Sequence, residues 1–118
     1  MILDVKVGSG AFMATIGAAE ALAQSLVETA NGAGCKTAAL ITDMDQPLAP
    51  ALGNALEVAV VMAILTGEVQ PHYARLVDLT VGLGVAALEL AGMCNAKDGE
   101  RRMRDTLANG SAAERFGK

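Results

Sequence analysis

The chain opens on Ile2-Leu3-Asp4-Val5-Lys6-Val7, a short apolar and β-branched run that stops at Gly8-Ser9-Gly10. That pattern predicts a buried strand ending in a tight turn. Strong helix formers follow from Ala14 to about Ala30. Ile16, Ala19, Leu22, Ala23, Leu26 and Val27 fall on one face, with Glu20, Gln24 and Glu28 on the other. Asn31-Gly32-Ala33-Gly34 supplies a glycine-rich stop. A second strand is expected at Lys36-Thr37-Ala38-Ala39-Leu40-Ile41-Thr42, closed by Asp43. Both strands are apolar nearly throughout, as in a sheet covered on two faces. The helix between them is long enough for a parallel crossover.

Beyond residue 44 the pattern changes. Asp45 to Asn54 holds Pro47, Pro50 and Gly53 and reads as a structured loop. Helices are predicted at about 54–66, 73–93, 97–109 and 111–116. The first of these is apolar almost all round (Leu56, Val58, Val60, Val61, Ile64, Leu65) and is expected to be buried on most sides. Gly82 and Gly84 interrupt the second, where they permit close packing or a kink at some cost in helix propensity. The fold class is therefore α/β: a β-α-β parallel unit over residues 1–43, then a loop and helical part over 44–118. Two parallel strands leave two unpaired edges and are too few for a stable sheet. Either a partner chain adds strands or this is one partial domain, a piece of a larger α/β unit; the surplus of helices favours the piece.

Composition narrows the function classes. Of 118 residues 53% are apolar and 19% charged, too apolar for disorder. Yet Glu20, Glu57, Asp78 and Glu89 interrupt the long apolar runs, so no membrane span is expected. Met1-Ile2-Leu3-Asp4 lacks the basic start of a secretory signal, which points to a cytoplasmic location. The net charge of −4 argues against a nucleic-acid partner. Residues 97–118 carry six Lys/Arg against four Asp/Glu, a mixture that reads as a solvated helix rather than a binding arm. Cys35 and Cys94 sit in apolar neighbourhoods and read as buried free thiols. The six methionines read as core filler and His72, beside Pro71, as a surface residue.

Candidate chemistry gathers at the carboxyl ends of the strands, where open α/β sheets bind ligands. Gly8-Ser9-Gly10 is either a tight turn or a ligand contact through backbone N–H groups. It is not a dinucleotide motif, because Met13 stands where a third glycine belongs, and no P-loop lysine follows. Lys6 either pairs with Asp4 or faces a substrate. Phe12 is either core or a cover for a planar ligand. Asp43, Asp45 and Gln46 form a polar cluster that reads as turn caps more readily than as a metal site. No self-sufficient catalytic site is apparent, so no residue is assigned as catalytic.

Four blocks carry a family resemblance: Asp4-Val5-Lys6-Val7-Gly8-Ser9-Gly10-Ala11-Phe12-Met13, Asn31-Gly32-Ala33-Gly34, Thr42-Asp43-Met44-Asp45-Gln46-Pro47-Leu48 and Gly53-Asn54-Ala55-Leu56-Glu57-Val58. In this order and spacing, with Ala108 to Phe116 also family-like, the chain resembles the thymidine and pyrimidine-nucleoside phosphorylases. The likeness covers all 118 residues but only a middle-to-late segment of that family's mixed-sheet α/β domain. It implies a pentosyl transfer of nucleoside salvage, in which phosphate as co-substrate displaces the base of a pyrimidine nucleoside reversibly. It further implies that Phe12 packs beside the pyrimidine, with Lys6 and Ser9 as the other substrate-binding candidates. The family's Arg, Ser and Lys for the base, and its phosphate ligands, belong to segments upstream of the Asp-Val-Lys-Val-Gly block. The isolated chain is therefore expected to be inactive. The resemblance also places the potassium-binding carbonyls of some members at Leu48 and Ala51, but the completing carboxylate falls at Val60. No other cofactor is implied. The rival readings are a subunit complementing a second chain and a non-catalytic association or ligand-binding module; self-association is expected from the exposed edges and the apolar helix.

Overall fold

The computed structural model describes residues 1–68 and 70–118. Its elements run β1 (Ile2–Val7), α1 (Ile16–Gly32), β2 (Ala38–Asp43), α2 (Asn54–Leu65), a 3-10 turn (Pro71–Tyr73), α3 (Ala74–Leu90), α4 (Ala96–Ala108) and α5 (Ser111–Phe116). The two strands pair in parallel, with Ile2 opposite Ala38 and Val7 opposite Asp43. The β-α-β unit and the following helices thus form as their patterns predict, and element ends shift by a few residues.

Local chemistry explains the boundaries. Thr15 caps α1 by accepting from the Ala18 N–H. At the other end Gly34 takes a φ of +84° and the Cys35 N–H returns to the Ala30 carbonyl. Asn31 then staples the helix end to the start of β2: its amide nitrogen donates to the Thr37 carbonyl and its oxygen accepts the Thr37 N–H, both at 3.0 Å. Thr37 is buried by this exchange.

The core lies between the sheet and α1. Val5, Ala19 and Ala23 are buried together, with Leu3, Val7, Met13, Leu22 and Ala39 packed around them. Small residues on α1 let it approach the strands closely, whereas Ile16 and Leu26, expected on the same inner face, are exposed. α3 and α4 pack on one another through Gly84 and Met103, so close packing rather than a kink explains that glycine. Gly82 has open space beside it.

Three expectations fail. The apolar helix α2 buries only Val60, while Leu56, Val58, Val61 and Met62 are exposed. Cys35 is exposed rather than buried and Cys94 half-buried, although both are free thiols. Met1, Met44, Met62 and Met93 are exposed, so most methionines do not fill a core. One physical cause links these corrections. The chain exposes 7577 Å², against about 6,000 Å² for a compact monomer of its mass, and its radius of gyration is 15.7 Å where about 13.5 Å is usual. It has too few layers to cover its own apolar residues. Among the described residues no helix is long and apolar enough to cross a membrane.

α4 is the solvated charged helix foreseen. Asp98 pairs with Arg101 and Arg102, Arg101 with Asp105, and Arg104 with both Glu100 and Asp78 of α3. The Arg101 hydrogen bond holds the Asp98 carboxyl below its ordinary value.

Candidate functional site at the ends of the parallel strands

β1 and β2 end side by side, and the segments leaving them lock together. The Met44 N–H donates to the Val7 carbonyl at 2.9 Å, extending the ladder by one bond. The loop after β1 closes on itself, with the Ala11 N–H donating to the Gly8 carbonyl and the Gly8 N–H to the Met13 carbonyl. Val7 and Met13 form an isolated parallel bridge. Gly8–Met13 is thus a tight turn with defined geometry.

Asp45 fills this turn. Its Oδ1 accepts the Ser9 N–H at 2.6 Å and the Ser9 hydroxyl at 2.7 Å. These bonds pull the Asp45 carboxyl below the usual aspartate value, the Ser9 side-chain bond contributing most. Gly8 is required beneath it. Its φ is +148°, and a Cβ there would stand 2.8 Å from Asp45 Oδ1 and 3.2 Å from the Asp45 backbone nitrogen. Asp45 is held in turn, because its N–H donates to Asp43 Oδ1 at 2.9 Å. The other Asp43 oxygen accepts from Arg75 at the start of α3, at 2.7 Å. The turn-cap reading of Asp43 and Asp45 holds, but the partner that matters lies 36 residues away. Sequence reasoning missed Arg75 altogether; no local pattern marks an arginine that reaches across from another helix.

Lys6 pairs with Asp4 at 2.7 Å and donates to Thr42 Oγ1 at 3.0 Å, while the Thr42 hydroxyl donates to Asp4 Oδ1. Burial alone would raise the Asp4 carboxyl, but the bonds from Lys6 and Thr42, with the Lys6 charge, bring it below its ordinary value. The Lys6 side chain remains 37% exposed. Phe12 is not core: its ring stands fully exposed at the tip of the turn. Lys6, Ser9 and Phe12 therefore occupy the carboxyl-end region of the two strands, though Ser9 spends both donors on Asp45.

Leu48 and Ala51 lie half-buried in the segment before α2, and Val60 is buried in that helix. Leu48 and Ala51 offer two backbone carbonyls and Val60 no side-chain oxygen, whereas a hard cation takes a shell of several oxygens. Among the described residues no three His, Cys, Asp or Glu side chains gather to hold a metal ion. His72 is exposed, edge-on to Tyr73 at 4.3 Å. A separate cleft of about 450 Å³ is lined by Ile64 of α2, Tyr73, Val77 of α3, and Arg104 and Leu107 of α4. It touches none of the strand-end residues.

A family profile described as "Glycosyl transferase family, a/b domain" matches residues 1–113. Among curated proteins, a thymidine phosphorylase of Burkholderia cenocepacia (strain HI2424) is 47% identical over 119 residues, covering 100% of this chain and 27% of that protein. A thymidine phosphorylase of Burkholderia lata matches with the same identity and coverage. Another from Burkholderia cenocepacia (strain J2315) is 46% identical over the same length. The chain spans about 27% of the length of these relatives.

Proposed function

The chain belongs to the glycosyl transferase family, as part of its a/b domain, and on that premise we propose that it forms the pyrimidine-facing floor of a nucleoside phosphorylase pocket. In the reaction, phosphate attacks C1′ of thymidine while the C1′–N1 bond breaks. The bonding pair leaves with thymine, and deoxyribose 1-phosphate is the second product. The barrier to such a displacement falls when both partners are positioned and the departing base is stabilised.

The observation that carries the reading is the Phe12 ring, fully exposed on a turn pinned at the carboxyl ends of two parallel strands. An aromatic held outward costs free energy unless something covers it, and a planar pyrimidine suits that face. Lys6 stands beside the same edge, steadied by Asp4 and Thr42. The resemblance assigns the grips for phosphate and for the polar edge of the base to residues outside these 118. The chain by itself therefore performs no phosphorolysis. Potassium has no part in this reading, because the donor set near Leu48 and Ala51 does not fit it.

Incubating the purified chain with thymidine and phosphate tests this: no thymine is expected above a protein-free blank, and robust release refutes the reading. A second polypeptide carrying the remaining grips is the alternative that an observation favours. The surplus of exposed apolar surface around α2, including Leu52, Leu56, Val58 and Met62, supplies a seat for it. Co-purification with such a chain, and thymine release by the pair alone, separates the alternatives.

A further inference from the structure

We propose that Asp45 is a positioning residue: its carboxylate sits in the turn after β1 as a built-in anion, fixing the turn backbone that presents Phe12 and closing the turn to phosphate. The inference rests on the reading of Phe12 as the base-facing residue, and it adds which part of the substrate this turn accepts.

A glycine turn that follows a strand can offer its N–H groups to an anionic ligand. Here the Ser9 N–H and the Ser9 hydroxyl both already end on one oxygen of Asp45, at 2.6 and 2.7 Å. Charge-assisted bonds of this kind are about twice as strong as neutral ones. Gly8 lets the carboxylate come so close that no side chain fits between them. Behind Asp45 the chain of contacts continues through Asp43 to Arg75, so the clamp is anchored on α3 and not only on its own loop. Two consequences follow. Phe12, three residues after Ser9, is presented by a turn that cannot flex freely. Phosphate approaching the same turn meets a negative charge and finds the Ser9 donors taken, which leaves a neutral ring as the compatible ligand.

The test uses isotope-labelled wild-type chain with the Asp45→Asn, Asp45→Ala and Ser9→Ala variants, each checked for a native circular-dichroism spectrum. In the wild type the Ser9 amide exchanges slowly and inorganic phosphate at constant pH leaves it unmoved. Asp45→Asn, which keeps an oxygen but not the charge, speeds Ser9 exchange severalfold. Asp45→Ala speeds it roughly tenfold or more, the scale of one lost charge-assisted bond, and loosens the Phe12 backbone. Ser9→Ala loosens the Phe12 backbone in the same direction. Ser9 exchange unchanged in both Asp45 variants with Phe12 backbone order unchanged in all three, or a saturable phosphate shift at the wild-type Ser9 amide, overturns the proposal. A second readout keeps the two readings apart. An unchanged KM for thymidine on Phe12→Ala, in a full-length relative carrying this stretch, refutes the pocket floor, while Ser9 exchange in the chain alone still decides the clamp.

Discussion

Replacing Gly8 with alanine probes the strand-end turn at its tightest point. Gly8 sits at a φ of +148°, and the added Cβ would lie 2.8 Å from Asp45 Oδ1, 3.0 Å from its Cγ and 3.2 Å from its backbone nitrogen. The carboxylate can swing, but the backbone nitrogen is tied to Asp43 and moves only with the loop. A side chain in this backbone region costs about 1–3 kcal/mol, and crowding a packed contact adds about 1 kcal/mol or more. Alanine returns about 0.4–1 kcal/mol by restricting the unfolded chain. The net loss is then about 2 kcal/mol. Gly34 provides the reference, with a φ of +84° and open space where its Cβ would go. Gly34→Ala carries only the left-handed penalty of about 1–2 kcal/mol, less the same offset. Urea unfolding followed by circular dichroism should place Gly8→Ala below Gly34→Ala by about 1 kcal/mol with equal slopes. Equal midpoints for the two variants would show that the Asp45 contact is not built as described.

Other perturbations follow from the same structure. Gly84→Ala forces Met103 aside, because the new Cβ would lie 2.8 Å from its sulfur and 3.3 Å from its Cγ; in a Met103→Ala background the substitution instead stabilises α3 by about 0.5–1 kcal/mol, and identical effects in both backgrounds would contradict the packing. Asn95→Ala removes the bond that the Asp98 N–H donates at the start of α4 and costs about 1 kcal/mol, read from the urea midpoint. Asp4 and Asp45 both have carboxyl groups held below their ordinary values, so their contribution is complete above the unfolded aspartate range and is lost as pH falls through the lowered folded values. Ser9 amide protection should therefore persist at mildly acidic pH and vanish only below that range, and Asp45→Asn should remove the dependence. Sedimentation at rising concentration should show association through the exposed α2 face, weakened by Leu56→Glu; an ideal monomer throughout would refute it.

The parallel pair was legible because a six-residue run with four apolar residues ending in glycine, a capped helix and a second apolar run admit few other arrangements. The stop after α1 was equally plain, since Gly34 takes the positive φ that Asn31-Gly32-Ala33-Gly34 advertises. α2 was misread for a physical reason. An all-apolar helix states that its surface avoids water but not what covers it, and this chain leaves Leu56 and Val58 uncovered. Cys35 was misplaced likewise, because it lies exposed in the turn between α1 and β2. The site was half visible: Ser9, Phe12 and Asp45 all stood out as residue types, but a bond spanning 36 positions leaves no periodic trace.

As proposed above, these residues form one part of a thymidine-phosphorolysing site and supply no complete site alone. Exchanging this chain for the matching stretch of a full-length thymidine phosphorylase relative, and measuring thymine release from thymidine and phosphate, tests that proposal. The chimera should turn over, with a raised KM for thymidine on Phe12→Ala, and the 118-residue chain should not. A well-folded chimera without activity, or turnover by the chain alone, would contradict the proposal.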